Sequence, residues 1–398
     1  MSPSSRPRDP RAAAILARHG HGALLPFLDA PDKRWFFAPY GQGAGAPDRP
    51  GCSGCAGGAA CHDRADGGLV VFGRAGRVVV ALGDPIGSGD AAWSAFDEFV
   101  GACDRTGSIP GVYQVTDDAR PRLEERGFRC APIGREALVD LATFDLSGPR
   151  RANVRHTVSR ARRGGVRVDW YAQGLSEERL ATLLPDLALV DARWRAAAGP
   201  AMGFTISRFG PGALSAPAAV AIATGHDDRP LAFATFRPTG ADGGYVLDLL
   251  RRLPGGVPGA LEFCVAGAAA GLREAGVPML SLGLAPLAGL NPGARTLDER
   301  MLARATSLMA PLYDAAGLAF FKDKFAPRWE RRDLAARGTV GLAAVVLGLL
   351  RLHLAPPGTR VGQAVRDAVD GLVPRATPRE DDAGQRAGRR VVSGHRRR

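Results

Sequence analysis

The chain has 398 residues, 45% of them apolar and 23% charged, which is room for two domains with proper cores. A net charge of +12 and a pI near 10.2 favour a polyanionic partner, either nucleic acid or an anionic membrane surface. Six cysteines in a chain of this size exclude a disulfide scaffold, and the longest apolar run, 340–350, is half the ~20 residues a spanning helix needs.

In chain order, the start MSPSSRPRDPRAAAILARHG lacks the apolar core of a secretory signal and predicts a short helix over 11–18. An edge strand is expected at 35–38. The Gly/Pro/Cys-rich stretch 41–68 reads as an inserted loop. Within it, CSGCAGGAACH offers Cys52, Cys55, Cys61 and His62 as soft donors, but the adjacent Cys-His pair is an awkward second half for a zinc site. No metal is therefore assigned. Two β-rich runs, 69–72 and 77–82, flank the turn Arg74-Ala75-Gly76 as a hairpin. An amphipathic helix at 91–105 follows, then a strand at 109–115, a helix at 117–126 and β structure at 130–133 and 137–140. This alternation predicts an α/β fold.

The stretch 146–167 is the most basic outside the tail. Arg151, Arg155 and Arg162 share one face of an expected helix, and like charges so densely placed are tolerable mainly beside phosphates. Beyond it come a strand at 166–171, a helix at 176–194, mixed segments at 204–209 and 218–224, and paired strands at 231–238 and 244–250. Cys103, Cys130 and Cys264 sit in apolar contexts as small hydrophobes.

Residues 243–287 read as strand, Gly/Pro loop, helix and strand. Asp248 lies in the first strand and Arg251 closes it. Gly255 and Gly256 belong to the turn that feeds the helix, where free N–H groups suit an anion. Helices are expected at 295–313 and 339–354, with a strand at 329–334 between them. The second helix reads as a core helix rather than a membrane-surface one. Among basic residues almost all are Arg, yet two of the lysines, Lys322 and Lys324, fall in one motif, FKDKF.

DLLR from Asp248, the Gly loop, LEFCVAG, LGLAPL and FFKDKFAPRWERR, together with GREALVDLATFDLSGPRRANVRHTVSRARRGGV over 134–166, resemble the C-terminal catalytic region of the phosphatidylglycerol lysyl- and alanyltransferases. The resemblance runs over about 69–354 and keeps the motif order. It implies two tandem GNAT-like (acyltransferase) subdomains with mixed sheets, here 69–165 and 166–358, after an N-terminal extension 1–68 and before a basic tail 359–398 that composition marks as disordered. It implies transfer of an aminoacyl group from aminoacyl-tRNA to phosphatidylglycerol or a related lipid. It implies Asp248, Arg251 and Lys322 or Lys324 as catalytic residues. It implies Glu262 as an acidic substrate position at the helix start, and the charge density makes Arg151, Arg155 and Arg162 the expected phosphate contacts. An aminoacyl ester is already activated, so no cofactor is expected.

The partners expected are charged tRNA and anionic phospholipid, with the protein cytoplasmic or peripheral at the inner face of the cell membrane. Where the family carries an acidic residue before Gly203-Phe204, this chain has Ala201-Met202. The amino acid, the lipid and the oligomeric state stay open. Two other classes compete: an acyl-CoA-dependent GNAT N-acyltransferase using the loop 252–259 for pyrophosphate, and a non-catalytic basic binder of nucleic acid or anionic lipid.

Overall fold

The computed structural model describes residues 9–37, 67–198, 203–289 and 314–354. The Cys52–His62 loop, Ala201-Met202, the helix expected at 295–313 and the basic tail lie outside the described residues.

In chain order the elements are α1 (Pro10–His19), α2 (Leu25–Leu28), β1 (Arg34–Phe37), β2 (Gly68–Ala75), β3 (Val78–Leu82), β4 (Ile86–Gly87), α3 (Asp90–Arg105), β5 (Ile109–Val115), α4 (Arg120–Glu125), β6 (Arg129–Asp140), α5 (Ala152–Arg163) and β7 (Arg167–Tyr171). They continue as α6 (Glu177–Ala198), α7 (Pro211–Leu214), β8 (Ala219–Thr224), β9 (Pro230–Pro238), β10 (Tyr245–Arg252), α8 (Ala260–Glu274), β11 (Met279–Pro286), α9 (Ala315–Asp323), β12 (Arg328–Ala336) and α10 (Gly338–Leu354). Among the described residues all strands join one mixed sheet, ordered β1-β2-β3-β5-β12-β6-β11-β10-β9-β8-β7, with β4 on β2.

β3, β5 and β8 are buried on both faces because their alternation feeds two different cores. In β8, Ala219, Ala221 and Ala223 pack with α5 and α8, whereas Val220 and Ile222 pack with α6 and α7. In the first half, Val79 and Ala81 of β3 face α3, and Val78, Val80 and Leu82 face α1 and α10. The small residues of α8 let that helix approach closely: a Cβ on Gly271 would lie 2.3 Å from the Trp170 ring nitrogen.

A structural repeat underlies the sheet although the sequence shows none. In the first half the antiparallel hairpin β2–β3 leads through α3 to β5, parallel to β3. In the second, β9–β10 leads through α8 to β11, parallel to β10. Each half is thus GNAT-like, and the fold is α/β with two tandem units. The halves then exchange strands. β12 lies between β5 and β6, and β6 pairs with β11. A cut at 165/166 therefore leaves β12 and α10 among first-half strands. Val345 of α10 sits where a Cβ on Gly111 of β5 would need to be, and Leu342, Val345 and Val346 are buried there. α10 is a core helix. No helix among the described residues is long and apolar enough to cross a membrane.

Candidate active site

The two parallel strands at the heart of the second half part almost at once. β10 and β11 pair only at Tyr245–Leu280 and Val246–Ser281, although both run on for several residues. At that level both are irregular: β10 shifts register against β9 between Leu247 and Leu250, and β11 against β6 between Ser281 and Leu284. Each of the two separating strands thus carries a bulge at the level where they part, which frees backbone groups from the ladder.

Asp248 sits in the β10 bulge. The Thr235 hydroxyl accepts the N–H of the next residue, Leu249, at 3.0 Å and holds the bulge in shape. One carboxylate oxygen, Oδ1, accepts the Ser207 N–H at 3.2 Å, while Oδ2 is buried without a hydrogen-bond partner among the described residues. Burial pushes this carboxyl above its ordinary range, against the pull of the Ser207 hydrogen bonds, Arg237 and Arg251. A buried acceptor with a spare oxygen is suited to a substrate amine or hydroxyl.

Arg251 is not the counter-ion of Asp248. Its Nε donates to Asp191 Oδ1 of α6 at 3.0 Å, its guanidinium lies 3.9 Å from the centre of the Trp194 ring, and Nη1 donates to the Leu250 carbonyl. The acid and the arginine, three residues apart in sequence, are held by different elements.

The two lysines of FKDKF separate as well. They stand two residues apart at the end of α9, and such positions point to different sides of a helix. Lys322, 3% exposed, donates to the carbonyls of Gly283 at 3.0 Å and Leu284 at 2.7 Å, inside the β11 bulge. Burial brings its pKa down to about 7, with Glu136 opposing that shift. Around it, Glu136 of β6 accepts from Ser281 Oγ of β11 and from Arg332 of β12, and Arg332 also donates to Glu330 at 3.0 Å. Three strands from both halves thus converge beside Lys322. Lys324 instead donates to Glu262 Oε1 at 2.7 Å and covers the rings of Phe320 and Phe321, joining α9 to the first turn of α8.

The Gly-rich turn differs from expectation. Gly256 gives its N–H to the Leu253 carbonyl at 3.1 Å, so this donor is spent within the turn and is not open to an anion. The residue that caps α8 is Gly259, in a left-handed conformation (φ 93°) against Thr157 of α5. Gly255 is exposed on the same turn.

Helix α5 carries its arginines in two groups. Arg151 donates to the carbonyls of Phe325 and Asp145, and Arg155 to those of Leu146 and Gly148, so both tie down the segment before the helix. Arg162 lies over the Phe263 ring of α8, and Arg160, Arg162 and Arg163 are exposed. Cys264 is buried and its thiol is pushed up to about 12, which leaves it inert.

The sequence profile described as "Phosphatidylglycerol lysyltransferase, C-terminal" matches residues 57–336. The chain belongs to this family. Among relatives of the lysyltransferase domain, it is 26% identical over 371 residues to the phosphatidylglycerol lysyltransferase of Bacillus subtilis (strain 168), covering 92% of this chain and 39% of that protein. It is 32% identical over 232 residues to the lysylphosphatidylglycerol biosynthesis bifunctional protein LysX of Mycobacterium avium (strain 104), covering 54% of this chain and 19% of that protein. The chain thus spans well under half the length of these relatives. Two solved structures share the fold. One is L-PGS from Bacillus licheniformis, with a TM-score of 0.69 and 25% identity over 92% of this chain and 100% of that one. The other is the C-terminal domain of a putative lysylphosphatidylglycerol synthetase from Agrobacterium fabrum, with a TM-score of 0.69 and 24% identity over 88% and 98%.

Within this lysyltransferase-type domain, sequence reasoning missed Asp191, Trp194, Ser207, Glu136 and Arg332. Asp191 had a signal: an acid set in the apolar run LALVDARW of a predicted helix calls for a buried partner. Ser207 meets Asp248 from a loop 41 positions away, and no local pattern could have shown it.

Proposed function

We propose that this chain moves an aminoacyl group from charged tRNA to a hydroxyl of the phosphatidylglycerol headgroup. The observation that carries the reading is the opening between β10 and β11. It has a buried carboxylate oxygen without a partner among the described residues on one strand and a buried lysine of near-neutral pKa lodged in the bulge of the other. The reaction exchanges one ester for another. The headgroup oxygen attacks the aminoacyl carbonyl, its proton passes to a base, and the bond to the terminal ribose oxygen of the tRNA breaks as that oxygen takes up a proton.

In this reading Asp248 Oδ2 accepts a hydrogen bond from the reacting hydroxyl or from the α-amino group and orients it. Lys322, whose pKa burial lowers to about 7, serves as the group that gives or takes the proton. Arg251 presents positive charge to a phosphate or to the developing oxyanion. Lys324 and Glu262 hold α9 on α8 and so keep Lys322 in place. The exposed arginines of α5 and the overall charge of +12 favour the tRNA backbone and an anionic lipid surface. The competing use of the loop at 252–259 as a pyrophosphate seat is weakened by the spent Gly256 N–H.

The test is incubation of the purified chain with charged tRNA and phosphatidylglycerol vesicles, followed by separation of the lipids and detection of amine-bearing product. Lysyl- and alanyl-tRNA are both supplied, because Ala201-Met202 replaces the acidic position expected there. Product with at least one donor, lost in Asp248→Asn, is the expected result. No product with either donor, under conditions where the protein is folded, overturns the reading.

A further inference from the structure

We propose that Asp191 and Trp194 of α6 are positioning residues for Arg251, fixing its guanidinium in one orientation and keeping it off Asp248. This rests on reading the β10–β11 opening as the acyl-transfer site.

Asp191 and Trp194 are three residues apart on α6 and so share a face, which packs on β9 and β10. Asp191 is 2% exposed and both of its oxygens are used: Oδ1 accepts from Arg251 and Oδ2 accepts the Arg195 Nε at 2.7 Å. Arg195 thereby steadies the carboxylate from its outer side. Trp194 supplies the flat surface beneath the guanidinium, and the Leu250 carbonyl takes Nη1. Nε, Nη1 and one face of the planar group are thus engaged. Nη2 has no protein partner among the described residues and is the donor left for substrate. Without the clamp, the nearest opposite charge for a buried guanidinium is Asp248 on the same strand, whose spare Oδ2 would accept it. Pairing there would consume the acceptor and the donor of the site together.

A purely structural role accounts poorly for this arrangement. An ion pair taken out of water on both sides contributes little to stability compared with apolar residues of similar volume, so a Leu or Met contact would hold α6 on β10 as well. What the ion pair and the stacked ring supply is direction, which an apolar contact does not. The same α6 region leads into the loop whose Ser207 N–H holds Asp248, so one segment of chain restrains both Asp248 and Arg251.

The experiment compares Asp191→Ala, Asp191→Asn and Trp194→Phe with the wild type and Arg251→Ala, each also combined with Arg251→Ala. Aminoacyl-lipid formation is measured as kcat and KM for charged tRNA. Asp191→Ala is expected to lower kcat by about 10–10²-fold with KM for tRNA nearly unchanged. Asp191→Asn, which keeps an oxygen acceptor at the same place, should recover part of the loss. In the Arg251→Ala background the Asp191 substitutions should cost nothing further. In parallel, modification of Arg251 by phenylglyoxal is followed by peptide mass spectrometry, which requires no activity. Labelling should be slow in the wild type and about tenfold or more faster in Asp191→Ala, a mobility effect of the same origin.

Full additivity with Arg251→Ala, or unchanged labelling of Arg251 in both Asp191 variants, overturns the proposal. If Asp191→Ala does not fold, Asp191→Asn decides through the same two readouts. If the wild type makes no aminoacyl-lipid, the proposed function fails by itself, and the labelling still decides whether Asp191 holds Arg251.

Discussion

Asp248 and Arg251 stand three residues apart on β10, yet the arginine gives its Nε–H to Asp191 at 3.0 Å and leaves Asp248 Oδ2 buried without a partner among the described residues. Asp248 is therefore a cost to the fold when ionised. Its raised pKa means that the native state holds the proton more tightly than the unfolded state, so stability falls as pH rises through that raised value. Asp248→Asn should keep or raise the melting temperature at neutral pH while lowering aminoacyl transfer by about 10²-fold or more. Thermal unfolding and initial rates on the same preparation check this. A marked loss of stability in Asp248→Asn would return the residue to a structural role.

Lys322 gives the opposite slope. Its pKa is lowered to about 7, so between pH 7 and the ordinary lysine range the unfolded chain binds a proton that the native state has lost. Stability from this residue therefore rises with pH across that window and is lowest below pH 7. Relative to Lys322→Met, the wild type should gain up to about 1.4 kcal/mol per pH unit in the window, read from urea melts at several pH values. A difference that stays flat with pH would mean that Lys322 keeps its charge throughout.

The arginines of α5 should divide by function. Arg160, Arg162 and Arg163 are exposed, and exchanging all three for Gln should reduce the salt slope of tRNA or anionic-vesicle binding by about 2–3. Arg151 and Arg155 bond backbone carbonyls. Arg155→Gln should instead cost about 1–2 kcal/mol of stability, with little change in the salt slope. Binding isotherms at several salt concentrations, with melts alongside, separate the two groups. Equal salt effects from both would contradict the division.

Gly259 is placed to show how closely α5 and α8 must meet. Its φ is 93°, and a Cβ there would lie 2.7 Å from the Thr157 carbonyl oxygen. Gly259→Ala should cost about 2 kcal/mol or more and shift the first turn of α8, which carries Glu262 and, through it, Lys324. Loss of stability and of transfer together is the expected outcome; a fully stable Ala variant would show that the helix start can move freely.

Local patterns in the chain determined most of its elements. The runs at 69–72 and 77–82 became β2 and β3, and the apolar face of 339–354 became α10, because the periods of 2 and 3.6 are set by neighbours a few residues away. FKDKF was the local failure: the helix α9 that carries Lys322 was not assigned, since its apolar residues AGLAFF show no clear period. The motif order identified the strand bearing Asp248 and the segment bearing both lysines.

Which charged groups meet was decided only in three dimensions. Arg251 took Asp191, sixty positions earlier, over Asp248 beside it. Lys322 went into the β11 bulge and Lys324 to Glu262, though a single residue separates them. β12 entered the sheet between β5 and β6 of the first half and brought Arg332 to Glu136, 196 positions earlier. Each outcome depends on which distant segments share a buried space and on where desolvation leaves a charge its best partner, and neither quantity is a property of a short stretch of sequence.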